Sequence, residues 1–334
     1  MWDGFPDPEF ADTNGIRLAY YRSGPDAGLP VVLCHGWPEI AYGWRLQMEA
    51  LAQAGFRVIA PDMRGFGRSS GPTGRAAVEH YDVANLTADL VGLLDHLGIP
   101  QAVFAGHDWG GFVTWDMPLR HPERVLGVIG VNTPYIPRPA FDPVRFLRRV
   151  MGERMYMVEF QTFGRGEDVL GRDTARSLAM LVRKSHVTQA EWAASDPRKR
   201  RLELLHALDT PEQYWPGEAL LSTEEMQVYI DAYQHSGWEG GINWYRNISR
   251  NWANSAHLPK HIEVPALMVH AENDVVLQPR LGRKMAHYIA DLETQVIKDC
   301  GHWTQIERPN ELNAILIEWL NRKFAADTTG RRSN

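Results

Sequence analysis

One device recurs along the chain: a short, unbroken apolar run that stops at glycine or a polar residue and gives way to a loop or a helical pattern. "PVVLCHG" (Pro30 to Gly36), "FRVIAPD" (Phe56 to Asp62), "QAVFAG" (Gln101 to Gly106) and "VLGVIGVN" (Val125 to Asn132) all have this form. Runs so short and so continuously apolar are strands buried on both faces. Between them, "VANLTADLVGLLDHLG" repeats apolar residues at helical spacing and stops at Gly98, and "GFVTWDMPLRHP" opens a second helix. Buried strands alternating with helices predict an α/β fold, with a mostly parallel central sheet flanked by helices.

The rhythm breaks after "VLGVIGVN". From about Arg138 to Leu258 the chain carries helical patterns and polar breaks, and no strand is expected there. The alternation resumes with "VPALMVHAEND", a helix near "PRLGRKMAHYIA", the run "TQVIKDCGH" and a last helix, "ELNAILIEWLNRKF". The organisation expected is a discontinuous core, residues 1–137 and 259–325, interrupted by a helical cap over 138–258. Such an insertion belongs over the carboxyl ends of the strands, where open parallel sheets place their sites. The final residues 326–334 are expected to be disordered. There is no internal repeat.

Composition narrows the function. A chain of 334 residues, 44% apolar, suffices for one large domain with an insertion. A net charge of −6 gives no electrostatic reason to expect nucleic acid or an anionic membrane. The basic cluster "RKRR" (Arg198 to Arg201) is short and reads as a solvated face. The acidic start has no apolar run resembling a signal sequence, and nothing approaches a membrane span. Two cysteines, Cys34 and Cys300, make a disulfide framework unlikely by count, and the expected location is cytoplasmic. Twelve tryptophans gather around Trp37 to Trp115 and around Trp215 to Trp252, as core fillers or as the walls of an aromatic pocket.

The stretch "AGHDWGG" (Ala105 to Gly111) follows a strand and opens a helix, the setting of a nucleophile elbow. Gly106 and Gly110 are expected to let the backbone turn sharply and the strand and helix pass closely. The tip residue is Asp108, beside a helix N-terminus whose dipole favours a carboxylate. A carboxylate attacks amides and esters poorly but can displace a leaving group from sp³ carbon, giving an alkyl ester. Hydrolysis of that ester needs a base, an orienting acid and oxyanion donors. His302 in "DCGHWTQ" and Asp274 in "VHAEND" each follow a strand, in the order nucleophile, acid, base. The backbone N–H groups of Trp37 and Trp109 are the expected oxyanion donors. No ligand spacing supports a metal at His35 or His107, and Cys300 reads as a buried bystander. Asn132 is a candidate polar group near the site.

With these motifs in order, the chain resembles the α/β-hydrolase superfamily and, within it, epoxide hydrolases of the soluble, mammalian-like type. "HGWPE", "PDMRGFGRS", "GHDWGG", "NTPYIP", "INWYRN", "ALMVHAENDVVL" and "DCGHWTQ" carry the resemblance from about Gly15 to Phe324. It implies hydrolysis of an epoxide to a vicinal diol: Asp108 opens the ring, and His302, paired with Asp274, activates water. It also implies two tyrosines that hold the epoxide oxygen, Tyr245 in "INWYRN" and, by a looser match, Tyr156 in "MYMVEFQ". His35, Pro38, Asn132 and Trp303 are candidate pocket residues. No metal, flavin, nucleotide or other cofactor is implied. The partners expected are a small epoxide and water, with the chain a monomer or homodimer. Haloalkane dehalogenases share the aspartate, the histidine and often the tryptophan after the nucleophile, so that reading stays open; the tyrosine pair favours the epoxide. A ligand-binding relative without catalysis is the third reading.

Overall fold

A computed structural model describes residues 5–324; the tail expected to be disordered lies outside them. The strands in chain order are β1 (Glu9–Thr13), β2 (Ile16–Ser23), β3 (Pro30–Cys34), β4 (Arg57–Pro61), β5 (Ala102–His107), β6 (Val125–Val131), β7 (Arg183–Lys184), β8 (Glu218–Ala219), β9 (Ala266–Ala271) and β10 (Leu292–Ile297). Eight of them form one sheet in the order β1-β2-β4-β3-β5-β6-β9-β10. From β4 to β10 every pairing is parallel; only β1 with β2 and β2 with β4 run antiparallel.

Sequence reading did not detect β1 and β2, so "PVVLC" is the third strand rather than the first. The missed pair is a hairpin whose two-residue turn, Asn14-Gly15, has positive φ at both positions (44° and 75°). That turn matches the right-handed twist of paired strands. β1 buries only Ala11, and the apolar stretch of β2, Leu18 to Tyr21, is bounded closely by Arg17 and Arg22, so neither leaves the longer unbroken run that marks the strands elsewhere.

The inner parallel strands β3 to β6 and β9 are buried on both faces as expected, whereas β10, at the edge of the sheet, is buried only at Ile297. Val32 and Cys34 join one apolar cluster while Val31 and Leu33 join the other, so each strand feeds two cores in alternation. The strand order reverses at β3, which lies between β4 and β5. A crevice opens at such a reversal, beyond the carboxyl ends of the strands. The loops leaving β3 and β5 meet there.

Between β6 and β9 the chain is mainly helical, from Pro143–Met151 to Ile248–Asn254. The expectation of no strand there needs one correction. Arg183–Lys184 and Glu218–Ala219 pair as a two-residue antiparallel ladder, too short to leave a period in the sequence. The long helix Thr223–Ser236 begins with a reciprocal cap between Ser222 and Glu225. The expected helix near "PRLGRKMAHYIA" is a run of 3₁₀ turns over Pro279–His287. Among the described residues no helix is long and apolar enough to cross a membrane.

Candidate active site

β5 ends at His107 and the helix Trp109–Arg120 starts two residues later, so Asp108 alone makes the turn. It does so at φ 49°, ψ −122°, a conformation that costs a non-glycine residue about 1–3 kcal/mol. Gly106 and Gly110 contribute space rather than positive φ. A Cβ on Gly106 would lie 2.2 Å from the Gly110 carbonyl oxygen, and one on Gly110 2.1 Å from that of Cys34. Strand and helix therefore do pass closely, but the sharp turn is taken by the aspartate. Gly36 is needed for the same reason, since a Cβ there would sit 2.4 Å from Cβ of Asp108. The turn is locked by the Thr133 hydroxyl, which donates to the Asp108 carbonyl at 2.7 Å.

The two carboxylate oxygens of Asp108 have different surroundings. Oδ1 accepts the Trp37 backbone N–H at 2.8 Å. Oδ2 lies 3.8 Å from Nε2 of His302. The other ring nitrogen of His302, Nδ1, is 2.9 Å from Oδ2 of Asp274. Asp274 is fully buried, and its Oδ1 accepts the N–H groups of Val276 (2.8 Å) and Leu277 (2.9 Å). Its Oδ2 also accepts from the Asn132 amide at 2.7 Å. Burial alone would raise the Asp274 pKa, but His302 and these donors outweigh it and bring it to about 2. For His302, burial would lower the pKa; the carboxylates of Asp274, Asp108 and Glu39 reverse this and raise it to about 9. At neutral pH the pair is therefore imidazolium and carboxylate.

Opposite this charge lies an aromatic wall drawn largely from the insertion. Tyr156 and Tyr245 are both buried, with ring centroids 5.5 Å apart. Tyr245 meets the Trp109 ring at 5.1 Å and the Trp37 ring at 5.5 Å, both edge-on, and Tyr156 stacks on Trp37 at 6.2 Å. Burial, and after it the nearby Asp108 carboxylate among other charges, pushes both phenols above their ordinary pKa, so both are protonated donors at neutral pH. Five of the tryptophans, Trp37, Trp109, Trp238, Trp244 and Trp303, gather around these groups.

The remaining candidates divide. His35 is fully buried with both ring nitrogens engaged by loop backbone: Nε2 accepts from Met63 N–H and Nδ1 faces the Gly36 carbonyl, both at 2.9 Å. Neither is free for a ligand. Pro38 is buried in the same loop, after a cis bond from Trp37. Asn132, at φ 61°, turns toward Asp274 and the His302 carbonyl rather than standing alone. Trp303 packs its ring on His302, with centroids 4.7 Å apart. Among the described residues there is no cluster of three metal-ligating side chains. Cys34 and Cys300 are free and buried.

Sequence reasoning passed over Glu39 and Gln305. Glu39 is 1% exposed, 2.8 Å from Nδ1 of His107, and it accepts from the Gln305 amide at 2.5 Å. His107 in turn donates from Nε2 to the His302 carbonyl at 2.7 Å. Burial would raise the Glu39 pKa, but His107 and the other histidines hold it below the usual range. The signal available was the acid in "HGWPE", in the loop after β3 that also carries Trp37.

Residues 30–309 match the α/β hydrolase fold family. A porcine protein named bifunctional epoxide hydrolase 2 is 43% identical over 92% of this chain and 53% of its own; the chain spans about half the length of such mammalian relatives. Epoxide hydrolase A of Mycobacterium tuberculosis is 40% identical over 95% of this chain and 98% of its own. The crystal structure of epoxide hydrolase A from Mycobacterium thermoresistibile superposes with a TM-score of 0.84 at 36% identity, covering 95% of this chain and 98% of that one. The chain belongs to the α/β-hydrolase fold family and, within it, to the epoxide hydrolases.

Proposed function

We propose that the protein hydrolyses a small epoxide to a vicinal diol through an alkyl ester on Asp108, with the helical insertion acting as a cap. The observation that carries this reading is a single carboxylate with unlike oxygens: one holds a backbone N–H, the other is next to a histidine, and two buried phenols stand nearby. Relatives named epoxide hydrolases at 40–43% identity support it.

An Asp108 oxygen attacks one epoxide carbon; the new C–O bond forms as the ring C–O bond breaks, and the departing alkoxide takes a proton from Tyr156 or Tyr245. An alkoxide is a poor leaving group, so a positioned phenol of pKa about 10 or above has work to do in this step. Esterification removes the Asp108 charge that helped hold the His302 proton, and the imidazolium gives that proton back to the phenolate. Neutral His302 then deprotonates water, which attacks the ester carbonyl. The oxyanion develops on the carbonyl oxygen that the Trp37 N–H already holds, with the Trp109 N–H as the proposed second donor. Collapse expels the diol oxygen, which takes the proton of the newly added hydroxyl. Asp108 returns as carboxylate and His302 as imidazolium.

The decisive experiment is the intact mass of a His302→Gln variant exposed to styrene oxide and, separately, to a bromoalkane. Without its base the enzyme should accumulate an adduct equal to the whole epoxide. An adduct equal to the alkyl group alone, formed only from the bromide, would make the protein a dehalogenase. No adduct from either would remove the covalent mechanism.

A further inference from the structure

The two phenols sit on separate pieces of the insertion, and the shorter piece cannot orient itself. Tyr156 opens a helix of four residues, Tyr156–Glu159, far below the length at which a helix holds its own shape. Tyr245 lies near the end of the helix Glu239–Arg246. Two side chains cross between the pieces in opposite directions. Gln161, just beyond the short helix, donates its amide to the Met157 carbonyl at 2.8 Å and to the Tyr245 carbonyl at 3.0 Å. Arg246, the residue after Tyr245, donates Nε to the Phe160 carbonyl at 2.9 Å.

Arg246 is itself fixed. Its side chain is 5% exposed, and its terminal nitrogens reach both Glu167 oxygens at 2.5 and 2.8 Å. One of them also donates to Asn243 Oδ1 at 2.8 Å, and the guanidinium lies over the Phe163 ring. A paired, planar guanidinium of this kind has little freedom. Between the two crossing bonds lies Phe160, fully buried, with its ring 5.6 Å from that of Tyr156 and 5.2 Å from that of Tyr245. The carbonyl Arg246 holds thus belongs to the residue that spaces the phenols.

We propose that Gln161 and Arg246 are positioning residues that set the separation and aim of the Tyr156 and Tyr245 hydroxyls toward one substrate oxygen. The proposal rests on the reading of those tyrosines as proton donors. Neither side chain need touch substrate. Each ties the residue after, or near, one phenol to the backbone that carries the other, so a shift of either piece would move both donors. Misplacement of a reacting group by an ångström can cost roughly a hundredfold in rate.

The test separates the two chemical steps in single turnovers of styrene oxide, using adduct mass and the fluorescence of Trp37 and Trp109 beside Asp108. Variants Gln161→Met, which keeps length but loses both donors, and Arg246→Lys, which keeps charge but loses the Nε–H bond, are compared with Tyr156→Phe and Tyr245→Phe. Ester formation should slow roughly 10- to 100-fold in the positioning variants, and ester hydrolysis should stay within about twofold. Adding Gln161→Met to the Tyr156→Phe, Tyr245→Phe double variant should slow ester formation no further, because the bond would then have no donor to aim. General loosening of the insertion would not give that pattern. Should Gln161→Met fail to fold, Arg246→Lys carries the same comparison. Wild-type ester formation in the positioning variants, or equal slowing of both steps, overturns the proposal. Wild-type ester formation in the Tyr→Phe variants would instead overturn the donor reading beneath it.

Discussion

The carboxylate side and the phenol side of the site are held by different means. Asp108, Asp274, Asn132 and His302 project from loops at the ends of β5, β9, β6 and β10, strands locked into one parallel sheet. Their side chains are then fixed by a dense set of bonds, with Asp274 alone taking four partners. Tyr156 and Tyr245 project from short helices of the insertion and are held by ring packing and a few side-chain-to-carbonyl bonds. A sheet-borne charge constellation costs much to displace. A donor pair on short helices can be adjusted, or misaligned, by small changes. The charged groups thus sit on the rigid side, and the phenols, which we propose as donors to the substrate oxygen, on the adjustable one.

The sharpest way to break this division is to remove the proposed nucleophile. Asp108→Ala should abolish diol formation, a fall of at least about 10⁴-fold in turnover, with the fold retained by circular dichroism. Appreciable diol from that variant would sink the ester mechanism. Next in size is the phenol pair: Tyr156→Phe with Tyr245→Phe should slow ester formation roughly 10²- to 10⁴-fold, far more than either alone, while ester hydrolysis continues. If the double variant forms ester at the wild-type rate, the insertion supplies no donor.

The difference between the two sides also decided what could be read from sequence. A parallel strand buried on both faces leaves an uninterrupted apolar run, so β3 to β6 and the residues at their ends were legible, and chain order supplied Asp274 and His302. The β1–β2 hairpin leaves no such run, since β1 buries only Ala11 and the apolar stretch of β2 is cut short by Arg17 and Arg22. Tyr156 and Tyr245 have no signature of their own, since a tyrosine on a helix is ordinarily a packing residue; only the resemblance singled them out. Glu39 was passed over because its partners, His107 and Gln305, are 68 and 266 residues away. Contacts across such distances have no local period.

The ion pair on the rigid side should also appear in stability. The folded protein raises His302 to about 9 and lowers Asp274 to about 2. The His302 contribution is fully present below its unfolded value of about 6.5 and is lost as pH rises through about 9. That of Asp274 is present above its unfolded value of about 3.9 and is lost as pH falls through about 2. Thermal unfolding should therefore show stability declining from about pH 6.5 toward 9, and Asp274→Asn should flatten that decline. An unchanged slope in the variant would mean the pair is not coupled to folding.

The smallest effect tests whether the two sides are separate at all. Besides the ring contacts of the phenols with Trp37 and Trp109, the sides are joined at Gln189, which begins a helix of the insertion and donates its amide to the Asp274 carbonyl at 2.6 Å. Its backbone N–H reaches Asn273 Oδ1 at 3.3 Å. Gln189→Ala removes one of these bonds, worth about 1 kcal/mol, and leaves the Asp274 carboxylate with its own donors. If the sheet side is self-sufficient, unfolding should shift by only about 2–4 °C and the rate of ester hydrolysis by less than about threefold. A loss of hydrolysis comparable to that of Asp274→Asn would mean that the acid loop is positioned from the insertion. The rigid side would then depend on the adjustable one, and the division drawn between them would have to be redrawn around Gln189.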